Sequence, residues 1–448
     1  MPKYFGTDGF RGRSGEALNA NHAYKIGRFL GWYYRKTEGK ARVVIGKDTR
    51  LSSYSFEYAV AAGLTASGAD AYMLHVIPTP GVSFAVRGGD FDCGVMISAS
   101  HNPFYDNGIK LVDAGGEKMD DATLYEVEKY LDGEIPELPF ATDDKIGRIV
   151  DYSAGRNRYT GYLISLATNS FKSLKIGLDT ANGAAWMIAP AVFEALGARV
   201  SVIGASPDGI NINNGYGSTH IERLCDHVRR AGLDIGFAFD GDADRCIAVD
   251  ERGEVVNGDH ILYILAQSLK EQGMLAHNTV AVTVMSNLGL FRALDEAQIH
   301  YDVTPVGDRF LWESMAKNGY RIGAEQSGHV ILSKYATTGD GILTAIMLTE
   351  AVLAKKTTLS KLASSVRMLP QITKNLRVKD KARVMQSHEI AELIRHLSEN
   401  ELAQGRILLR QSGTEPVVRV MVEADTQEAC QIYADMVIDR IKELGLHE

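Results

Sequence analysis

The sequence predicts an α/β protein: three α/β units in succession, then a smaller α+β unit at the C-terminal end. Three observations carry that reading. The chain has 448 residues, enough for several domains at roughly 100–200 residues each. Short apolar runs of strand length alternate with helix-like stretches through most of it. From residue 369 onward the order becomes strand, helix, strand, strand, helix, the grammar of a small α+β domain.

In the first unit, Arg42-Val43-Val44-Ile45-Gly46 reads as a buried strand. Ser52 or Ser53 then caps a helix carrying Phe56, Val60 and Leu64 on one face. Strands are expected at 71–76 and 93–97, the second running straight into a serine-rich turn. The prolines and charges of Asp132-Gly133-Glu134-Ile135-Pro136-Glu137-Leu138-Pro139 mark a connection to the second unit. That unit has helices near 153–168 and 184–196, and strands at Lys175–Asp179, 198–203 and Ile235–Phe239. A third begins near 255, with strands at 279–284 and 321–324 and a helix near 340–354. In the last unit, strands 371–378, 406–410 and 417–423 go with helices 387–398 and 426–444. The expected boundaries are 1–150, 151–253, 254–368 and 369–448. No sequence repeat relates the units.

Hydrophobic residues make up 45% of the chain and charged residues 23%, the balance of a soluble protein with a large core. The formal net charge of -8 argues against binding nucleic acid or an anionic membrane, which need a basic surface. Small anionic substrates stay open, because a local group of Arg and Lys outweighs the global sign. The four cysteines, Cys93, Cys225, Cys246 and Cys430, form no CxxC pair; they read as buried small hydrophobes in a reduced compartment. The opening Met1-Pro2-Lys3-Tyr4-Phe5-Gly6 lacks a signal pattern, and no apolar run approaches the ~18 residues of a membrane span. The expected location is the cytoplasm.

The strand Gly94-Val95-Met96-Ile97 leads into Ser98-Ala99-Ser100-His101-Asn102-Pro103 and so places a serine at a strand's carboxyl end, where α/β enzymes keep their chemistry. Such a serine serves as a phosphate carrier as readily as an acyl nucleophile. The sharper feature is Asp240-Gly241-Asp242-Ala243-Asp244-Arg245, after the apolar strand Ile235–Phe239. Alternate aspartates set three hard oxygen donors on one side of a turn, which suits Mg²⁺ or Ca²⁺ and not zinc. A calcium-sensor loop is the competitor: its twelfth position is matched by Glu251, but its sixth is Arg245 instead of Gly, and its flanks are strands where helices are needed. Three carboxylates without a cation would repel one another. Mg²⁺ held by them still needs further oxygen ligands, and a phosphorylated Ser100 would supply one.

Two further clusters offer donors for anions and polyols. In Arg410-Gln411-Ser412-Gly413-Thr414-Glu415-Pro416, with Arg419 on the following strand, the glycine permits close approach and the side chains suit a phosphate. Taken alone, a hairpin turn with surface arginines explains that segment equally well. Gly323-Ala324-Glu325-Gln326-Ser327-Gly328-His329 brings carboxylate, amide, hydroxyl and imidazole together after a strand and would satisfy a polyol; a polar loop without ligand fits as well. Gly6-Thr7-Asp8-Gly9-Phe10-Arg11-Gly12 is a glycine-rich loop with one arginine and neither a Walker nor a dinucleotide fingerprint. His22, His75 and His227 lack ligand spacing and read as core or surface residues.

Taken together these motifs resemble the α-D-phosphohexomutase family, in the family's order and over the whole chain. The matches are the phosphoserine loop Ser98–Pro103, the metal loop Asp240–Arg245, the sugar loop Glu325–His329 and the phosphate loop Arg410–Pro416. Phe10, Tyr216 and Gln411 depart from the family pattern without removing a catalytic group. The resemblance implies four domains around a central cleft and transfer of a phosphoryl group between Ser100 and a sugar through a sugar 1,6-bisphosphate, which also serves as activator. Asp240, Asp242, Asp244 and an oxygen of phosphorylated Ser100 would hold Mg²⁺. His101, Lys110, Arg245 and Arg11 would surround the reacting phosphate, with Lys110 or His329 moving the proton. Glu325, Gln326 and Ser327 would bind the sugar, and Arg410, Ser412, Gly413, Thr414 and Arg419 its distant phosphate. The opening Phe5-Gly6-Thr7-Asp8-Gly9 and Gln326 point within the family to glucosamine 6-phosphate and glucosamine 1-phosphate, feeding amino-sugar nucleotide and cell-wall synthesis. Glucose or mannose phosphates are the alternative substrates, and a metal-dependent phosphatase-like or binding protein is the rival class. The implied partner is a small phosphosugar, with no nucleic acid and no membrane; a homodimer is left open.

Overall fold

The computed structural model describes residues 3–6, 8–35, 39–402, 404–412 and 416–448. The chain divides into two compact units, Met1–Met285 with Gln298–Ser365, and Ser286–Ala297 with Val366–Glu448.

The larger unit contains three mixed sheets. The first comprises β1 (Phe5–Gly6), β2 (Gly9–Arg13), β3 (Arg42–Lys47), β4 (Asp70–Val76), β5 (Cys93–Ile97), β6 (Asp106–Asp113) and β7 (Ile149–Asp151), in the order β1-β2-β6-β5-β3-β4-β7. The second comprises β8 (Lys175–Asp179), β9 (Arg199–Ile203), β10 (Ile235–Phe239), β11 (Cys246–Val249) and β12 (Val255–Val256), in the order β12-β11-β10-β8-β9. The third comprises β13 (Thr279–Thr283), β14 (His300–Thr304), β15 (Ile322–Ala324) and β16 (Val330–Leu332), in the order β14-β13-β15-β16.

One device recurs in all three. A parallel run ends in a strand that turns back on itself as an antiparallel pair: β5 with β6, β10 with β11, β15 with β16. The connecting turns hold Ser98–Pro103, Asp240–Arg245 and Glu325–His329 respectively. Strands β5, β10 and β15 are buried along their whole length, as expected of strands covered on both faces. Rigid strands therefore deliver all three polar loops.

The smaller unit carries the antiparallel sheet β17 (Gln371–Arg377), β18 (Arg406–Gln411) and β19 (Val417–Glu423), in the order β17-β19-β18. The helix Gln427–Glu443 packs Ala434, Val437 and Ile441 against Val418, Val420 and Val422, completing the α+β layer that the sequence predicts.

Several local expectations are corrected. The helix after β3 is Leu51–Ala66, with Arg50 at its N-cap and no side-chain cap; Ser53 Oγ instead donates to Asp48 Oδ1 at 2.7 Å. The helix expected over 184–196 is shortened to Ile188–Ala195, because Ala184 N donates to Gly241 O at 2.8 Å and ties that stretch to the aspartate loop. The glycine-rich opening is not wholly loop: Gly9–Arg13 pairs with β6, Arg11 opposite Gly108. All four cysteines are buried free thiols, as expected. Among the described residues no helix is long and apolar enough to cross a membrane.

Candidate active site

Ser100 sits at the turn after β5 with a left-handed backbone, φ +52. Its hydroxyl donates to Asp240 Oδ2 at 2.5 Å and lies 3.5 Å from His101 Nδ1. The β10–β11 turn presents Asp240, Asp242 and Asp244, which are 1%, 0% and 4% exposed, with ligand atoms within 4.8 Å of one another. Gly241 lets this turn approach: a β-carbon there would stand 2.5 Å from Ser100 O. The serine loop and aspartate loop thus meet across 140 residues of sequence.

The electrostatics fit a cation. Asp242 Oδ1 and Asp244 Oδ1 are buried with no hydrogen-bond partner, a costly arrangement without a ligand. Burial and the charges of Asp244 and Asp242 hold the Asp240 carboxyl well above the usual carboxylate range. Three all-oxygen donors with two open lone-pair sites suit a hard divalent ion. The site can therefore hold one.

Cationic side chains surround the triad. Lys110 on β6 donates to Asp242 Oδ2 at 2.8 Å and lies 3.2 Å from Asp8 and 3.5 Å from Asp244. Burial opposes its charge, but Asp242, Asp8 and Asp244 outweigh that and hold it protonated above its ordinary range. Arg11 pairs with Asp8. Arg245 donates its backbone N–H to Asp240 Oδ1 at 3.2 Å, and its guanidinium lies 3.9 Å from Asp244. Burial, then Arg245 and Arg11, lowers His101 to about 4, so its imidazole is neutral near pH 7.

His329 joins from the third sheet. An isolated antiparallel bridge links Arg245 to His329, and Cys246 N donates to Gly328 O at 2.9 Å. Gly339 N donates to Nε2 at 3.1 Å, so the neutral ring keeps its proton on Nδ1, 3.8 Å from Asp244 Oδ2. Burial opposes the charged form, yet Asp244, Asp308 and Glu325 raise the group to about 9.

Of the predicted residues, Ser100, His101, Lys110, Arg11, Arg245, His329 and the three aspartates therefore converge. Glu325 is half-buried, accepts Gly307 N at 3.2 Å and bears on Arg245 and His329. Gln326 is half-buried and Ser327 exposed. In the smaller unit, Arg410 and Arg419 are direct partners on β18 and β19 and so share one face of that sheet. Ser412 is buried, its carbonyl accepting Lys381 Nζ at 2.7 Å. Gly413 and Thr414 lie outside the described residues.

Sequence reasoning missed Asp8, Thr79 and Asp308. Thr79 Oγ1 donates to Asp242 Oδ2 at 2.5 Å, and Lys118 bridges Asp8 at 3.1 Å to Asp308 at 2.6 Å. Asp8 lies in the glycine-rich loop Gly6–Gly12, which was the available signal; no local motif marks Thr79 or Asp308. These residues border a cavity of about 260 Å³ whose walls also include Lys110, Asp244, His329 and Trp312.

Known proteins match the chain along nearly its whole length. Residues 2–136, 157–253 and 257–368 match the family descriptions phosphoglucomutase/phosphomannomutase alpha/beta/alpha domains I, II and III, and residues 374–440 match its C-terminal domain. A phosphoglucosamine mutase of Lachnospira eligens is 60% identical over 447 residues, covering 99% of each chain. One from Lachnoclostridium phytofermentans is 56% identical over 445 residues, again covering 99% of each. A phosphoglucomutase/phosphomannomutase family protein from Burkholderia thailandensis superimposes with a TM-score of 0.80 at 25% identity, over 99% of this chain and 98% of that one. An Aspergillus fumigatus N-acetylphosphoglucosamine mutase, solved in complex with GlcNAc-6P and magnesium, shares the fold at a TM-score of 0.69 and 16% identity, over 99% of this chain and 96% of that one. With all four family domains present in order on these loops, the chain belongs to the phosphoglucomutase/phosphomannomutase family of α-D-phosphohexomutases.

Proposed function

We propose that the protein is a phosphosugar mutase that interconverts glucosamine 6-phosphate and glucosamine 1-phosphate in the cytoplasm, for UDP-N-acetylglucosamine and cell-wall synthesis. One observation carries the chemistry: the Ser100 hydroxyl faces a buried aspartate triad ringed by Lys110, Arg11, Arg245 and His329. The sugar follows from full-length relatives at 60% and 56% identity that bear the phosphoglucosamine mutase name. The four segments 1–150, 151–253, 254–368 and 369–448 then take one role each: phosphoryl carrier, metal site, sugar recognition and distal phosphate.

Ser100 Oγ carries the phosphoryl group. It gives that group to a hydroxyl of the bound monophosphate, and the resulting 1,6-bisphosphate reverses its orientation and returns the other phosphoryl group to Ser100. Asp240, Asp242 and Asp244, with an oxygen of the Ser100 phosphate, would hold Mg²⁺, which when bound neutralises charge on the transferring group. Arg11 and Arg245 supply fixed positive charge to the phosphoryl oxygens. Lys110 or His329, each held protonated at rest, carries the proton transfer: it gives its proton to Ser100 Oγ as the phosphoryl group leaves and is restored by the proton of the attacking sugar hydroxyl. Glu325, Gln326 and Ser327 orient the sugar. Arg410, Ser412, Gly413, Thr414 and Arg419 hold the phosphate that is not reacting.

A substrate panel tests the reading. Glucosamine phosphate is expected to show a higher kcat/KM than glucose or mannose phosphate, since specificity is a difference in transition-state binding. Equal or inverted preference moves the assignment to a phosphomannomutase/phosphoglucomutase activity.

A further inference from the structure

The left-handed backbone of Ser100, φ +52, strains a residue with a β-carbon and persists only where its surroundings enforce it. Those surroundings grip both sides of the residue. Ser100 N donates to Ser98 Oγ at 3.0 Å, and Ser98 Oγ donates to Asp48 Oδ2 at 2.6 Å. Ser100 O accepts from Arg50 Nη2 at 3.1 Å and from Asn213 Nδ2 at 2.8 Å. The same two donors reach Asn102 O, at 2.5 Å and 3.1 Å. One guanidinium and one amide thus bracket the turn through a shared pair of carbonyls.

Both donors are themselves fixed. Arg50 is fully buried and paired with Asp48, which also accepts Arg50 N at 2.9 Å. Asn213 is buried and comes from the segment matched by domain II, where its N–H donates to Ala181 O at 2.9 Å. Its amide orientation is set, because a flip would face its oxygen with two carbonyl oxygens.

We infer that Arg50 and Asn213 are positioning residues that clamp Ser100, one from each of two domains, in the strained conformation that aims its hydroxyl at Asp240. The inference rests on Ser100 being the phosphoryl carrier. Neither residue belongs to the sugar loop, so the clamp governs transfer and not sugar capture. Misplacing a reacting atom by about 1 Å costs on the order of 100-fold in rate.

Three variants test it. Asn213→Gly deletes the amide and suits the left-handed backbone at that position, φ +59. Asn213→Asp keeps the size and sets a carboxylate against both carbonyls. Arg50→Lys keeps the charge but loses the planar fork. In each protein that is folded by circular dichroism, kcat on glucosamine 6-phosphate is expected to fall between about 10-fold and 100-fold, with KM within about twofold of the parent. Single-turnover transfer from phosphorylated Ser100 to the sugar should slow by the same factor. A purely structural role would lower the melting temperature and leave kcat in place. A folded Asn213→Gly protein with parental kcat overturns the clamp, as does a loss carried by KM alone; if that variant does not fold, Arg50→Lys decides on the same criteria. Ser100→Ala run alongside separates the two ideas. Retained turnover in that variant removes the carrier, whereas an inactive Ser100→Ala beside an unaffected Asn213→Gly removes only the clamp.

Discussion

Lys110 Nζ and Asp242 Oδ2 are 2.8 Å apart in a place where both side chains are almost wholly buried. An ammonium sunk beside three carboxylates is stable only because each sign answers the other. Removing any one charge therefore disturbs the whole group, and the aspartates are the members whose loss separates a metal role from a structural one.

Asp242→Asn removes one negative charge and one strong oxygen ligand while keeping an acceptor for Thr79 and Lys110. Magnesium affinity by calorimetric titration should drop at least about tenfold, with turnover falling in parallel and Ca²⁺ or Zn²⁺ substituting poorly. Full activity in EDTA-treated protein would show the triad to be structural.

Ser100→Ala is expected to abolish mutase turnover with the fold intact, since in the proposed mechanism the hydroxyl is a covalent carrier and not a packing group. Ser100→Gly should be equally inactive, yet more stable than Ser100→Ala by roughly 1 kcal/mol, because glycine enters the left-handed region without strain. Thermal melts of the two variants check the strain independently of activity.

Arg419 stands directly opposite Arg410 across β18 and β19, so the two guanidinium-bearing residues share one face of that sheet. Arg419→Ala should raise KM and release more bisphosphate per turnover, observed by ³¹P NMR, with Lys a poor replacement for the bidentate guanidinium. Unchanged KM and no extra bisphosphate would place the distal phosphate elsewhere.

Asp340 caps the helix Gly341–Lys355 through Leu343 N at 3.0 Å and accepts Tyr159 Oη at 2.8 Å. Burial pushes its carboxyl up to about 6 from an ordinary 3.8. A raised carboxylate stabilises the fold fully below the unfolded value, and that contribution is lost as pH rises through the folded one. The parent should therefore lose stability relative to Asp340→Asn between about pH 4 and 6. Melting temperatures of the two proteins across that window would show no convergence or crossing if Asp340 is ordinary.

The residues of the three polar loops were legible because each lies beside its strand in sequence. A short apolar run such as Ile235–Phe239 followed by alternate aspartates declares both the strand and the chemistry locally. The helix cap at Ser52 or Ser53 misled for the same reason: local propensity favours a cap, but Asp48 takes the Ser53 hydroxyl to organise the serine turn. The loop read at Gly6–Gly12 and the helix start read at 184 were likewise overridden, by pairing of Gly9–Arg13 with β6 and by docking of Ala184 on Gly241.

What the sequence by itself determined was therefore the α/β class, the strand ends that carry Ser100, Asp240–Asp244 and Glu325–His329, and a family likeness strong enough to name the reaction type. Only the tertiary structure decided that each loop is the turn between a parallel strand and an antiparallel neighbour, a repeat with no counterpart in the residues themselves. It alone recruited Asp8, Asp308 and Asn213, and it alone set Ser100 in a left-handed conformation. The physical reason is distance along the chain: Asn213 meets Ser100 across 113 residues and Asp240 across 140, and contacts of that span leave no periodicity or motif, because they exist only once separate sheets have packed.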